Sequence, residues 1–149
     1  MKYQIRKMEL ADIPAIVEGE ERIFSTPLGY DFLYTDLMLN PYAHYFVLEI
    51  DKKVQGYIGL WIEDNAQIIN FYVEKAYQGL GFGTMILDFI VKLCQMSKVK
   101  NISLEVRKSN IVAIKLYEKF GFLQVNIRPH YYSDGEDALV MNKELGVDK

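Results

Sequence analysis

The 149-residue sequence is poor in the residues that cross-link a chain or bind metal ions, with one cysteine, Cys94, and two histidines. A lone cysteine cannot form a disulfide within the chain, and it excludes a multi-cysteine metal site. His44 and His130 have no neighbouring ligand residues at a metal-binding spacing. We therefore expect neither a structural disulfide nor a metal cofactor, as is usual for a protein of a reducing compartment.

The sequence also lacks a long apolar run. No stretch approaches the length that spans a bilayer, and the first ten residues, "MKYQIRKMEL", have no continuous apolar core of the signal-peptide kind. These two absences predict a cytoplasmic chain with no membrane partner.

Positive charge is in short supply, since 17 Lys and Arg face 20 Asp and Glu and the net charge is -3. This balance argues against nucleic acid as the main partner and favours a basic one. A length of 149 residues with 50% hydrophobic content suits a single globular domain over 1–149 with an ordinary core, and no internal repeat divides it.

Hydrophobic periodicity predicts an α+β chain in the order β-α-α-β-β-β-α-β-α-β-β. Such an order favours a mostly antiparallel sheet of about seven strands with one β-α-β unit and about four flanking helices. Ser109 is the predicted N-cap of the last helix, and Gly121 its C-terminal glycine. The predicted strands are 3–8, 44–50, 54–63, 66–73, 101–107, 123–129 and 137–145, and the predicted helices are 9–23, 30–39, 81–97 and 109–121.

The β-α-β unit contains the most informative stretch, "YQGLGFGTMIL", in which Gly79, Gly81 and Gly83 alternate before a helix. Glycines admit a ligand close to the backbone, and the free N–H groups of a helix start attract anions. A P-loop is excluded because no lysine follows Gly83, and the spacing differs from the G-x-G-x-x-G of dinucleotide-binding folds. A tight turn without a ligand would need only one glycine. We therefore predict an anion-binding loop.

The same stretch resembles the Gln/Arg-x-x-Gly-x-Gly/Ala acetyl-coenzyme A signature of GNAT acetyltransferases, with Gln78, Gly81 and Gly83 at the defining positions. The later segment "LEVRKSNIVAIKLYEKFGF" is similar to the ribosomal-protein-alanine N-acetyltransferase branch of that family, and so is "NIRPHYYSDGEDALVMNKEL". The resemblance covers about Gln67 to Leu145. It implies the GNAT fold, a mixed central sheet flanked by helices, and acetyl-CoA as cosubstrate.

The resemblance also implies where the coenzyme binds. The strand before the glycines would bond the pantetheine arm through its backbone, and the following amides would bind the pyrophosphate. Asn110 would contact the coenzyme, although an asparagine there is equally well explained as part of the helix start. The implied coenzyme-binding residues are Phe71, Tyr72, Val73, Gln78, Gly79, Leu80, Gly81, Phe82, Gly83, Thr84 and Asn110.

Acetyl transfer to an amine needs a base for the ammonium proton and an acid for the departing thiolate. The alternation of "ISLEVR" puts Ser103, Glu105 and Arg107 on one strand face, opposite the apolar residues. An isolated glutamate of this kind is ordinarily a solvent-facing residue, but Glu105 matches the family's general base. Tyr117 lies on or beside the apolar stripe of its helix, as a packing tyrosine would, and matches the family's general acid.

The acceptor implied by the branch is a protein N-terminus, with Tyr131 and Tyr132 walling the groove for an extended basic peptide. Asp31, Asp36, Asp134 and Glu136 either offset basic peptide residues or form a solvated surface. Two acceptor-side positions depart from many branch members, Leu28 in place of Trp and Asn65 in place of Glu. A small amine such as a polyamine or an aminoglycoside, lysine side chains, and a silent coenzyme A-binding module therefore stay open as alternatives.

Overall fold

A computed structural model describes residues 1–24 and 27–146. Within these ranges the chain forms seven strands and four helices in the predicted order. The strands are β1 (Tyr3–Lys7), β2 (Ala43–Ile50), β3 (Lys53–Ile62), β4 (Ala66–Val73), β5 (Asn101–Arg107), β6 (Leu123–Arg128) and β7 (Ala138–Glu144). The helices are α1 (Ile13–Ile23), α2 (Tyr30–Leu39), α3 (Phe82–Met96) and α4 (Ile111–Lys119). No helix in the described ranges has the length and apolar character needed to cross a membrane.

The strands form one sheet in the order β1-β2-β3-β4-β5-β7-β6. Neighbouring strands are antiparallel except β4 and β5, which run parallel and are connected through α3. The prediction of a mostly antiparallel sheet with one β-α-β unit around the glycines is confirmed.

The sheet separates two hydrophobic cores because strand side chains alternate between its faces. In β2, Tyr45 and Val47 pack with α1 and α2, whereas Phe46 and Leu48 pack with α3. We call these two sides the α1/α2 face and the α3/α4 face. The first core includes Ile13, Ile16 and Leu33, and the second includes Ile86, Ile90 and Tyr117.

An ion pair fixes the start of α1 against the first strand. The two terminal nitrogens of Arg6 donate to the two oxygens of Asp12 over 2.8 and 2.9 Å. Asp12 Oδ2 also accepts the backbone N–H of Glu9 over 2.8 Å. The hydrogen bond from Arg6 lowers the pKa of Asp12. Pro14 lies in the first turn of α1, where its missing N–H would have no helical partner anyway.

The start of α4 differs from the prediction. The N-cap is Asn110, not Ser109, because Asn110 Oδ1 accepts the backbone N–H of Ala113 over 3.3 Å. The N–H of Ser109 instead donates to Glu136 Oε2 over 2.9 Å. Gly121 follows the end of α4 at φ 90°, as predicted for a C-terminal glycine.

Candidate active site

A gap opens in the middle of the sheet between β4 and β5. Only Ala66, Gln67 and Ile68 of β4 pair with β5, opposite Ile102–Leu104. Beyond these pairs each strand keeps its other neighbour, β3 for β4 and β7 for β5. The two strands therefore diverge, and the gap joins the α1/α2 face to the α3/α4 face.

The end of β4 turns free backbone groups toward this gap. Glu74 N–H donates to Gln55 O over 2.8 Å, so the alternation of an antiparallel ladder directs the backbone of Phe71 and Val73 away from β3 and into the gap. The backbone of Tyr72 faces β3 instead. Its carbonyl oxygen is so near Gly56 of β3 that a Cβ added to this glycine would lie 2.7 Å from it.

Two of the four gap-facing groups are already bonded. The side-chain Nε2 of Gln78 donates to Val73 O over 2.8 Å, which ties the strand end to the glycine loop. Phe71 N–H donates to Asn70 Oδ1 over 3.0 Å. Phe71 C=O and Val73 N–H are thus the groups that the strand presents to a ligand arm.

The glycine loop leaves open space at the N-terminus of α3. Gly79 and Gly81 have φ values of 79° and 90°, and a Cβ on either would meet no atom within 4 Å. Met85 N–H is the first to bond back, to Gly81 O over 3.0 Å, so the N–H groups of residues 82–84 have no intrahelical partner.

The other residues of the loop divide between ligand space and packing. A Cβ on Gly83 would lie 3.3 Å from Leu116 in α4, so this glycine allows the close approach of two helices. Phe82 is buried, whereas Leu80 is exposed beside a pocket that Met1 and Tyr3 also line. The open space and free N–H groups fit a coenzyme pyrophosphate.

Glu105 lies where β5 leaves the β4 ladder. The strand's alternation is as predicted, because Ile102, Leu104 and Val106 are buried in the α3/α4 core and Glu105 projects on the α1/α2 face. Arg128 Nε lies 2.8 Å from Glu105 Oε2, and the Tyr131 hydroxyl donates to Oε1 over 3.3 Å.

The contact between Arg128 and Glu105 is an ion pair without hydrogen-bond geometry. Oε2 of Glu105 is buried yet accepts no hydrogen bond from any residue in the described ranges. A buried carboxylate oxygen ordinarily has such a donor. The site therefore has acceptor capacity left for an N–H or a water from a substrate.

Tyr117 lies on the opposite side of the sheet, in α4. It is buried against Phe71 and Phe122, with ring centroids 6.5 and 5.6 Å away. Burial raises the pKa of the Tyr117 phenol, and the negative charge of an ionised Tyr132 raises it further. The phenol therefore stays protonated at neutral pH. It makes no hydrogen bond to another described residue.

Arg107 orders the loop that carries the paired tyrosines. Its guanidinium lies 4.0 Å above the Tyr132 ring and donates to Asp134 over 2.8 Å and Glu136 over 2.9 Å. The Tyr131 and Tyr132 rings pack edge to face at 5.1 Å. Burial raises the pKa of Tyr132 to about 12, although the positive charge of Arg107 acts in the opposite direction. The loop therefore presents two neutral phenols beside Glu105.

Of the four acids suggested for a basic peptide, the structure leaves Asp31 exposed. Asp36 is buried and accepts hydrogen bonds from Tyr45 and Trp61, so its expected role at the surface is wrong. Asp134 and Glu136 are bound to Arg107. In the ranges 1–24 and 27–146, no three His, Cys, Asp or Glu side chains are placed to hold a metal ion.

Sequence reasoning missed Glu20 of α1, which is fully buried. Its Oε2 accepts the Tyr57 hydroxyl over 2.6 Å and Asn70 Nδ2 over 2.8 Å. The backbone N–H groups of Leu28 and Gly29 donate to its two oxygens over 3.4 and 3.2 Å. The signal was present, since Glu20 shares a helical stripe with Ile13 and Ile16.

Comparison with known proteins identifies the family of the chain that carries this gap and this glycine loop. The family model described as Acetyltransferase (GNAT) family matches residues 10–122. The chain belongs to the GNAT acetyltransferase family. It is an acetyl-CoA-dependent N-acetyltransferase, and the resemblance of "YQGLGFGTMIL" to the coenzyme signature is confirmed at the level of the family.

Individual relatives agree on the branch. The candidate [ribosomal protein bS18]-alanine N-acetyltransferase of Bacillus subtilis is 44% identical over 142 residues, covering 94% of each chain. An N-alpha-acetyltransferase of Sulfurisphaera tokodaii is 34% identical over 159 residues, covering 97% of this chain and 94% of that one. The crystal structure of the ribosomal-protein-S18-alanine N-acetyltransferase from Escherichia coli superposes with a TM-score of 0.90 at 29% identity, covering 99% and 97%. The GNAT acetyltransferase is thus similar to enzymes that acetylate protein N-termini.

Proposed function

We propose that this GNAT enzyme transfers the acetyl group of acetyl-CoA to the α-amine of a protein N-terminus, with ribosomal protein bS18 as the first candidate acceptor. The observation that carries the proposal is the gap between β4 and β5. It joins the glycine loop and Tyr117 on the α3/α4 face to Glu105 and the paired tyrosines on the α1/α2 face. Donor and acceptor therefore approach from opposite faces. The cytoplasm is the proposed site of action.

The donor side is built from backbone groups. Phe71 C=O and Val73 N–H would bond the pantetheine arm, and the free N–H groups of residues 82–84 would bind the pyrophosphate. Gln78 holds the strand end and the loop together through Val73 O. Asn110 Oδ1 caps α4, which leaves its Nδ2 for the coenzyme, so the two proposed roles of this residue are compatible. Acetyl-CoA supplies the activated acetyl group as a thioester.

Glu105 acts as the general base on the α1/α2 face. An α-amine has a pKa of about 8 and is mostly protonated at neutral pH, so the reaction needs a group that removes this proton. Arg128 pairs with Glu105 and leaves its oxygens within reach of the gap. The ammonium proton passes to Glu105 directly or through a water, as the amine nitrogen attacks the acetyl carbonyl.

Tyr117 acts as the general acid on the other side. Its raised pKa keeps the hydroxyl protonated in the resting enzyme, and the thiolate that departs after carbonyl attack takes this proton. The rings of Phe71 and Phe122 pack against this tyrosine. The two proton transfers thus take place on opposite faces of the sheet.

Tyr131 and Tyr132 form one wall of the acceptor groove. The Tyr131 hydroxyl already bonds Glu105, so an amine that reaches the base must pass along these rings. Arg107 fixes their loop through Tyr132, Asp134 and Glu136. A rigid aromatic wall beside the base suits an extended peptide backbone better than a small polyamine.

Steady-state kinetics with three acceptors test the proposal. The acceptors are a peptide with a free N-terminal alanine, the same peptide with a blocked α-amine and a free lysine, and spermidine. We expect kcat/KM for the first to exceed the other two by about 10²-fold or more, because only an α-amine delivers its nitrogen along the aromatic wall. A clear preference for spermidine or lysine would overturn the peptide acceptor and leave the acetyl-transfer chemistry standing.

A further inference from the structure

A buried carboxylate that takes no part in the proton transfers connects the acceptor side of the enzyme to its coenzyme strand. Glu20 lies in α1, and its two oxygens accept four hydrogen bonds from a helix–helix connection and two strands. A fully buried carboxylate persists in a fold only where such donors surround it. The identity of the donors therefore indicates what Glu20 does.

Two of the donors belong to the connection between α1 and α2. The backbone N–H groups of Leu28 and Gly29 both point at Glu20, and Gly29 then starts α2 as its N-cap at φ 88°. This connection lies on the α1/α2 face, where Glu105 also projects. Glu20 thus fixes the backbone of residues 28–29 on the face from which the acceptor approaches.

The other two donors belong to the sheet. Asn70 Nδ2 donates both to Glu20 Oε2 over 2.8 Å and to the Tyr57 hydroxyl over 2.7 Å, and Asn70 Oδ1 accepts Phe71 N–H. Phe71 is one of the residues whose backbone faces the gap. One chain of hydrogen bonds therefore runs from residues 28–29 through Glu20 and Asn70 to the strand edge at the gap.

We propose that Glu20 is a positioning residue that holds residues 28–29 in the shape that receives the acceptor, in register with the coenzyme strand. This inference rests on the proposed function, because it concerns the acceptor of that same reaction. Glu20 touches neither reacting group in this account. Its loss should weaken acceptor binding while coenzyme binding persists.

Glutamine is the informative substitution at position 20. Among the described residues, the Oε2 atom faces three donors, from Tyr57, Asn70 and Leu28, whereas Oε1 faces only the N–H of Gly29. The amide nitrogen of glutamine therefore fits best at the Oε1 position, where it opposes the N–H of Gly29. Glu20→Gln therefore removes the acceptor of the Gly29 N–H and keeps the bonds from Leu28, Tyr57 and Asn70.

Asp36→Asn is the matched control. Asp36 is also a buried carboxylate on the α1/α2 face, and its donors are the Tyr45 hydroxyl at 2.5 Å, Trp61 Nε1 at 2.8 Å and Asn40 Nδ2 at 2.9 Å. None of these donors belongs to residues 28–29. The control therefore reproduces the loss of a buried carboxylate without releasing that segment.

The test measures KM for an N-terminal alanine peptide and for acetyl-CoA in the parent and both variants. We expect Glu20→Gln to raise the peptide KM about tenfold and to change the acetyl-CoA KM by less than about twofold, since a displaced positioning element acts on its own substrate. Asp36→Asn should leave the peptide KM within about twofold of the parent. An unchanged peptide KM in Glu20→Gln, or an equal rise in both variants, would overturn the proposal.

Amide hydrogen exchange gives a second readout that needs no turnover. The N–H of Gly29, which loses its acceptor, should exchange faster in Glu20→Gln than in the parent or in Asp36→Asn. Equal exchange rates in all three proteins would contradict the positioning role, even if the variants bound substrate poorly. A parent enzyme that acetylates no peptide would overturn the proposed function instead, which separates the two failures.

Discussion

In the proposed mechanism, the substrate ammonium enters the contact between Glu105 and Arg128. The carboxylate is held by Arg128 and by the Tyr131 hydroxyl, and its buried oxygen has no hydrogen-bond donor among the described residues. Arg128 is more than half exposed, so an incoming ammonium can compete with it for the same oxygen. The proposed base, Glu105, therefore has an ion-pair partner that a substrate ammonium can displace.

Replacing Glu105 by glutamine keeps the shape of the side chain and removes the base. Turnover near neutrality should fall by about 10²- to 10⁴-fold, while coenzyme binding measured by calorimetry stays unchanged. The deficit should shrink as pH rises above the acceptor's pKa of about 8, because the amine then arrives neutral. Full activity of Glu105→Gln at pH 7 in pH–rate profiles would remove this residue from the mechanism.

Tyr117→Phe should show a deficit that does not shrink as pH rises. Burial raises the pKa of the phenol, so the parent keeps its acid protonated throughout the alkaline range in which the acceptor loses its own proton. The departing thiolate still needs a proton there, and the loss of about 10²-fold or more should persist as pH rises. A deficit that disappears at high pH, as expected for Glu105→Gln, would contradict the assignment of Tyr117 as the acid.

Sequence reasoning reached the surface-facing residues of the site more easily than the buried ones. Glu105 was identified because a motif marks it and because strand alternation places it opposite an apolar face. Helical spacing placed Glu20 with Ile13 and Ile16, but spacing alone assigned it no partner and no role. Its burial depends on Tyr57 and Asn70, which are 37 and 50 residues away and carry no local signal.

At the scale of elements, the glycine loop and the loop that carries the tyrosines allow a controlled experiment. Gly81 and Gly135 have nearly the same φ, 90° and 89°, and a Cβ on either would enter open space. Gly81→Val should weaken coenzyme A binding about tenfold or more, or about 1.4 kcal/mol, because the side chain enters the space assigned to the coenzyme. Gly135→Val imposes a similar positive-φ strain in the loop that carries the tyrosines, away from the glycine loop.

Calorimetric titration of both glycine variants with coenzyme A gives the answer. Weaker binding in Gly81→Val together with parent-like binding in Gly135→Val is the expected result. Equal losses in the two variants would mean that backbone strain, and not occupation of the site, causes the effect. Parent-like binding in both would place the coenzyme elsewhere.

The ion pair at the start of α1 makes a prediction about stability and pH. The pKa of Asp12 is lowered in the folded protein, so its contribution is complete above the unfolded pKa of about 3.9 and is lost as pH falls through the folded value. Asp12→Asn should therefore cost about 2 kcal/mol at pH 7. In urea unfolding curves this difference should shrink as pH falls below about 4.

Asp88→Asn serves as the control for Asp12. Asp88 pairs with Lys92 one helical turn away, but both side chains are at least half exposed. Such a pair contributes about 0.5 kcal/mol or less. An Asp12→Asn cost as small as that of Asp88→Asn, or one that does not depend on pH, would show that the Arg6 contact does not stabilise the fold.

The elements themselves were well predicted wherever local patterns decide them. The bounds of α2, β4 and β5 agree with the periodicity, and the glycine after α4 has the expected positive φ. The N-cap of α4 was misplaced by one residue. Both Ser109 and Asn110 are good caps, and the choice depends on Glu136, which binds the N–H of Ser109 from a distant loop.

At the scale of the whole molecule, the sequence did not determine the order of the strands in the sheet or which helices cover each face. The order of elements predicted one β-α-β unit, but it did not predict that the parallel ladder between β4 and β5 ends after Ile68 and Leu104. That divergence creates the gap. Strand alternation gave the face of Glu105, whereas the packing of α4 that puts Tyr117 on the opposite face is a long-range contact.

The position of the transferred acetyl group tests the central claim most directly. Purified bS18 with a free alanine N-terminus is incubated with the enzyme and acetyl-CoA, and fragment masses locate the modification. We predict one acetyl group on the α-amine and unmodified lysine side chains, with Glu105→Gln as the inactive control at neutral pH. Acetyl groups on lysines, or an unmodified protein under conditions in which spermidine is acetylated, would contradict the account.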